Sequence, residues 1–199
     1  MRLWKVLSFL LLVAPLPAMA QVGVYGEFSS THINATNEPQ MYGTTVGVYD
    51  DRSVLRHLTF ANLGPDFRVT LQSGSSNNGG RGGGPAQSLI IALVGPRLTF
   101  NLPVKALHPY VEGLVGGGDS QIGELIGDAY SQNGAGFPPG ANKNGGATFE
   151  GQFLGGLDLK VHPNVDWRVV EFGYARLVST GAPGFGLATL STGIVVHLR

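Results

Sequence analysis

Five histidines, a few hydroxyls beside them and one glycine-rich run with an arginine are the residues from which chemistry could be built. His32 follows Ser30 and Thr31 at the end of an extended segment. Residues two apart share a strand face, so Ser30 and His32 can meet, and a hydroxyl beside an imidazole is what acyl transfer to or from a lipid would need. An ordinary polar strand end explains the same residues, since no carboxylate is evident nearby to orient the imidazole. His57, His108, His162 and His197 fall in or beside turns. No two histidines have the close helical or strand spacing of metal ligands, so no metal is expected. The run GGRGGGP at 79–85 lacks the Lys-Ser/Thr and following helix of a phosphate-binding loop and reads as a flexible surface loop. There is no cysteine, which excludes thiolate sites and disulfides. No catalytic residue and no cofactor is assigned on these grounds.

The charged residues carry more information. They make up 13% of the chain, about half the usual share, and the formal net charge is zero. A nucleic-acid partner, which selects for a basic surface, is not expected. What stands out is where the charges sit. In ATFEGQFLGGLDLKVHP, residues 147–163, Phe149, Phe153, Leu157, Leu159 and Val161 occupy odd positions, while Thr148, Glu150, Gln152, Asp158 and Lys160 occupy even ones. That is the period of a β-strand with one apolar and one charged face.

Eight such segments follow one another, bounded by Gly, Pro, Asn and Asp, with no stretch of helical period between them. They cover about 22–33, 42–49, 58–72, 87–100, 108–117, 147–161, 165–178 and 187–198. The fourth is apolar on both faces and its facing is ambiguous, although Arg97 is placed inward. The connections after the first, third, fifth and seventh segments are mostly long and glycine-rich, and the longest runs from Gly118 to Gly146. Those after the second, fourth and sixth are mostly compact. Gly is 31 of 199 residues, too many for helices but suited to wide loops and bent strands.

An even number of antiparallel strands, long loops at one rim and short turns at the other imply an all-β, eight-stranded antiparallel up-and-down transmembrane β-barrel. In such a barrel the apolar faces look outward to lipid, and the interior is only wide enough for side chains to fill. Glu27, Asp66, Arg68, Arg97, Glu112, Glu150, Asp158, Lys160 and Glu171 are the candidates for an interior polar network. Both signs are present, as pairing of buried ions requires. Acids outnumber bases, so water or a protonated carboxyl is expected inside. Phe60, Tyr42, Phe100, Trp167 and Tyr174 lie where an interfacial aromatic girdle would place them. A soluble sandwich or lipocalin-like cup is the competing architecture, but it would turn the polar set of every strand to solvent.

The first 20 residues combine a basic Arg2 and Lys5, an apolar run at 6–13 and a small-residue Ala18-Met19-Ala20 site, the layout of a secretory signal peptide. The rest, 21–199, is expected to form one domain.

The stretches GPRLTF, HPYVEGLVGGG, GGLDLKVHPNVDWRVVEFGYARL and LSTGIVVHL together resemble the outer-membrane β-barrel proteins of diderm bacteria, distantly similar to the OmpA/OmpX type. The resemblance covers nearly all of 21–199 and implies insertion into the outer membrane, with its lipid and the barrel assembly machinery as partners. Members normally end their last strand in an aromatic residue, where this chain has Leu198 followed by Arg199. The implied role is non-enzymatic: a filled barrel whose loops, above all Gly118 to Gly146, meet an extracellular ligand or serve the envelope. A narrow pore or small-ligand binder is the alternative, and a lipid-modifying enzyme at His32 the more remote one.

Overall fold

Eight strands alternate in direction and hydrogen-bond to their neighbours in sequence order, and the first closes on the last. The computed structural model describes residues 22–34, 40–50, 60–75, 86–120, 146–179 and 185–198. The leader at 1–20, the glycine-rich run at 79–85, His57 and residues 121–145 of the longest connection lie outside the described residues. The strands are β1 (Val22–Ile33), β2 (Gln40–Asp50), β3 (Ala61–Ser75), β4 (Ala86–Phe100), β5 (Leu107–Ser120), β6 (Gly146–His162), β7 (Val165–Ser179) and β8 (Phe185–Leu198). The expected eight strands are present in the expected order. β1 pairs with β2 from Val22↔Asp50 to His32↔Gln40 and with β8 from Val22↔Leu198 to Ile33↔Leu187, so no sheet edge is left open.

Period two places the side chains as polarity dictates. Phe28, Val46, Phe67, Ile90, Phe172 and Ile194 are exposed on the outside, and Phe153 reaches 78% exposure. The exposed outward charges Asp119 and Arg176 lie near the loop ends of β5 and β7, away from the waist. The short connections are tied down at the opposite rim. Asn101 N–H donates to Phe60 O at 2.8 Å, Lys160 N–H to Ala106 O at 2.8 Å and His197 N–H to Asn164 O at 2.9 Å.

One irregularity decides what lies inside. Between β7 and β8 the register runs Arg168↔Gly193 and then Glu171↔Ser191, and between β6 and β7 it runs Leu157↔Val170 and then Asp158↔Arg168. The extra residue is a β-bulge at Val169 and Val170, which reverses the inside–outside parity of β7. Arg168 and Glu171, three apart, therefore both point inward, with 0% and 3% exposure.

The interior is filled by two materials. Toward the loop rim, Ile33, Met41, Leu89, Ile91, Leu93, Leu114, Leu154, Ala175, Leu177 and Leu187 form an apolar cluster, which Tyr110 joins from below. Toward the turn rim the lumen is ionic. Buried Thr31, Gln72, Ser120, Thr148 and Glu150 keep a polar share in the loop half as well, and the ambiguity of β4 is explained: Leu89, Ile91 and Leu93 face in while Ile90 and Val94 face out.

Candidate functional site

Three arginines from three strands meet in the ionic half. Arg68 of β3 donates from Nη2 to Glu112 Oε2 at 2.6 Å and from Nη1 to Glu171 Oε1 at 2.8 Å. Arg97 of β4 reaches the other Glu112 oxygen at 2.7 Å and Asp158 Oδ2 at 2.8 Å. Arg168 of β7 donates from Nε to Asp158 Oδ1 at 2.9 Å and from Nη1 toward Glu171 Oε2 at 3.3 Å. Glu112, Asp158 and Glu171 each bridge two arginines, so the six groups close into a ring across the lumen. Two more acids attach to it: Glu27 pairs with Arg168 and Asp66 with Arg68. Every member is buried.

Tyrosines sandwich the ring. The Arg97 guanidinium lies 4.0 Å from the Tyr49 ring centre and 3.6 Å from that of Tyr110, and Arg168 lies 4.4 Å from that of Tyr25. These are cation–π distances in a dry setting, where such contacts count most. The Tyr25 hydroxyl donates to Asp66 at 2.9 Å and the Tyr110 hydroxyl to Glu171 at 2.6 Å. Each ring lies over a glycine directly opposite in the ladder: Tyr49 over Gly23, Tyr25 over Gly47 and Tyr110 over Gly156. A Cβ at Gly47 or Gly156 would run into the tyrosine ring, so these glycines are the space the rings occupy.

Comparison with known proteins then bears on the whole cylinder. No family model matches the chain, and no curated protein matches it. Solved structures do. Ail, the attachment invasion locus protein of Yersinia pestis, solved in complex with the heparin analogue sucrose octasulfate, is 9% identical with a TM-score of 0.53, over 90% of this chain and 99% of that one. The outer-membrane enzyme PagL is 12% identical with a TM-score of 0.51, over 86% and 99%. The fold is that of the small outer-membrane barrels. At these identities the likeness concerns architecture alone.

In this outer-membrane-type barrel, Glu27, Asp66, Arg68, Arg97, Glu112, Asp158 and Glu171 of the expected set are brought together in one network. Two are not. Lys160 is exposed at the turn end of β6, beside a register shift between Lys160 and His162, so its ammonium stays in water rather than entering the ring. Glu150 is buried on the loop side of the ring and makes no hydrogen bond or ion pair among the described residues.

Two participants escaped sequence reasoning. Arg168 was hidden by the bulge, since strict alternation from Glu171 puts it outside. Asp166 lies at the turn mouth, where its Oδ2 is 2.9 Å from His197 Nε2 and 3.3 Å from His108 Nδ1, joining β5, β7 and β8. A signal existed: Asp166, Arg168 and Glu171 cannot all point inward under period two, and an outward charge near mid-bilayer costs about 2 to 4 kcal/mol. That conflict within VDWRVVEF is the mark of a bulge.

The turn mouth opens into a polar hollow of about 240 Å³ lined by Tyr49, Asn62, Thr99, His108, Lys160 and His197 among others. Its floor is Arg97 and Asp158, members of the ring. The hollow therefore ends blindly at the ionic ring. Ser30 and His32 sit on the outward face of β1 near the loop rim, away from this hollow. Ser30 Oγ accepts from Gln40 Nε2 at 2.8 Å, and no hydrogen bond orients the His32 imidazole among the described residues.

Proposed function

We propose that this chain is an integral outer-membrane protein, exported by the signal peptide at 1–20, that acts through the surface presented at its loop rim and neither conducts nor catalyses. The observation that carries the reading is the inverted distribution of polarity: ions are enclosed and paired, while the exposed exterior carries Phe, Val, Leu and Ile around the waist. A cylinder of this kind would offer water a contiguous apolar band far larger than the few hundred Å² soluble monomers expose. In a bilayer the same band is solvated by hydrocarbon. Trp167, Tyr42, Phe60 and Tyr174 are exposed on the outside, and Trp167 and Tyr42 lie close to opposite ends of their strands, as interfacial anchors would. Lipid and the barrel assembly machinery are the implied partners, and the connection from Gly118 to Gly146 is the place to meet an extracellular ligand, because scaffolded loops carry recognition.

The ring and the apolar cluster stacked on it support a sealed lumen against the pore reading. Ser30 and His32 share an outward face within reach of lipid, which keeps a lipid-modifying activity as the second reading. Against it stands the absence of an orienting group for the imidazole among the described residues. Fractionation with heat-modifiable gel mobility tests the main proposal. A heat-sensitive, faster-migrating band in the outer membrane is the expected result, and a freely soluble protein rejects it. In planar bilayers the expected conductance is nil, and steady channel steps would favour the pore. His32→Ala is expected to leave lipid composition unchanged.

A further inference from the structure

On the outside of the barrel, near the loop rim, polar side chains from two strands face each other across a third. The ladder sets Arg176 opposite Gly186 and Tyr174 opposite Ala188, and on the other side of β8 it sets His32 opposite Ala188. Asn34 N–H donates to Gly186 O at 2.9 Å, which keeps Asn34 on the Gly186 row. β8 therefore supplies a floor of Gly186 and Ala188, with His32 and Asn34 on one wall and Tyr174 and Arg176 on the other. The walls are two strand spacings apart, about 10 Å.

All four wall residues are exposed, and none of their side chains has a hydrogen bond or ion pair among the described residues. Tyr174 leans along the trough: a Cβ at Gly186 would come within 2.7 Å of its hydroxyl, so the phenol ends on the row of Arg176. No atom lies within 4 Å of a Cβ placed at Gly151, the residue opposite Arg176 in β6, and the space on that side is open too. Arg176 does not lie beyond the apolar belt. Phe149 and Val178, paired with each other one step nearer the loops, are exposed on the same outer face. A guanidinium bordered by apolar groups in this way calls for an anion to meet it.

We propose that this trough holds one phosphate-bearing lipid headgroup of the leaflet at the loop rim, with Arg176 as its ionic anchor and Tyr174, His32 and Asn34 as hydrogen-bond donors. The donors select the charge of the occupant. Guanidinium, phenol, imidazole and amide each offer an N–H or O–H, and among the described residues no carboxylate stands on the outer faces of β1, β7 or β8. The planar fork of an arginine suits phosphate oxygens in particular. The depth selects the source. Leu190 and Phe172, the pair immediately below the trough, are exposed where acyl chains would run, and the first anion above acyl chains is a headgroup phosphate. Such a site rests on the outer-membrane placement proposed above.

The test uses the purified full barrel in nonionic detergent at fixed pH and ionic strength, unfolded by heat with phosphatidic acid, diacylglycerol or inorganic phosphate added. Phosphatidic acid is expected to raise the unfolding temperature saturably over diacylglycerol, by about 3 to 6 °C at ten times its half-saturating concentration, and inorganic phosphate to leave it unchanged. Arg176→Gln is expected to raise the half-saturating concentration about tenfold or more, and Tyr174→Phe about fivefold. Lys105→Gln, which removes the same charge from an exposed position at the turn rim, is expected to change nothing. Equal unfolding temperatures with the two lipids, in a barrel that keeps its heat-modifiable mobility, would overturn the site and leave the envelope reading standing. A loss in Lys105→Gln as large as in Arg176→Gln would mean diffuse attraction and overturn it as well, and an equal response to inorganic phosphate would overturn the lipid assignment. If Arg176→Gln does not fold, an undiminished response in Tyr174→Phe is the overturning result.

Discussion

The turn half and the loop half of this lumen are enclosed by the same eight strands and covered outside by the same apolar belt, yet one is filled with guanidinium and carboxylate groups and the other mainly with Leu, Ile and Met beside a few hydroxyls, amides and Glu150. In the loop half each side chain contributes nearly independently, through the surface it removes from water and the space it fills. In the turn half no residue works alone. Glu112, Asp158 and Glu171 each serve two arginines, so the desolvation of every ion is offset only while all are present. The comparison teaches that one cylinder is closed in two ways, a substitutable packing and an interdependent circuit.

Breaking the circuit should therefore cost most. Arg168→Leu strands Asp158, Glu27 and part of Glu171 in a dry lumen and is expected to lower stability by about 3 to 5 kcal/mol. The measurement is urea unfolding of the barrel refolded in lipid, followed through Trp167 fluorescence and β-sheet circular dichroism. Arg168→Lys is expected to lose most of the same amount, because an ammonium cannot reproduce the planar fork that meets three carboxylates. A lysine variant as stable as the native chain would dissolve the idea of a circuit.

The loop half should answer the same assay differently. Leu114→Ala opens a cavity and is expected to cost about 2 to 5 kcal/mol, whereas the volume-conserving Leu114→Met should cost less than about 1.5 kcal/mol. The diagnostic is the ratio of conservative to disruptive loss, small in the loop half and near one in the turn half. Equal ratios would erase the distinction between the two halves.

That distinction also sets how much was legible in the sequence. The outward faces of β1, β3, β6 and β8 were readable, because Phe28, Phe67, Phe149 and Ile194 recur at period two against polar neighbours. The inward ions of β3, β5 and β6 were readable for the same reason: Arg68, Glu112 and Asp158 contrast with the residues beside them. In β4 the contrast vanishes, since Leu89 and Ile90 are chemically alike although one meets the apolar cluster and the other the exterior. Arg168 was unreadable for a different cause, as a bulge is a property of two paired strands and is not written into either alone. Glu150 has inward parity and is buried, but parity cannot show that it lines a cavity with Arg68 without forming an ion pair. Lys160 shares that parity, and only its nearness to the turn keeps it in water.

The tyrosine–glycine pairs mark the turn half a second time. Gly156→Ala puts a methyl group against the Tyr110 ring, which is held between Arg97 and the carboxylate of Glu171. Overpacking of this kind costs about 1 to 3 kcal/mol. Gly151→Ala, on the same strand but with open space where the methyl would go, is the control expected to change stability by less than about 0.5 kcal/mol. Both are read in the urea assay, and equal effects would show that Tyr110 moves aside freely.

The smallest effect is expected at the turn mouth, where Asp166 joins His108 and His197. These imidazoles are partly open to solvent, with side-chain exposures of 33% and 20%, so their hydrogen bonds compete with water in a way those of the ring do not. Asp166→Asn keeps the shape and removes the charge, and its expected cost is about 1 kcal/mol, the net worth of an ordinary hydrogen bond. The reason to make the variant is its contrast with Asp158→Asn, which sits between Arg97 and Arg168 one layer deeper. That change is expected to cost about 3 kcal/mol or more, as the loss of one partner in a buried pair does. Two aspartates with like chemistry, separated by the depth of a single layer, thus measure where water stops and the circuit begins. Equal costs at the two positions would mean that both aspartates share one environment, and the boundary between mouth and ring would disappear.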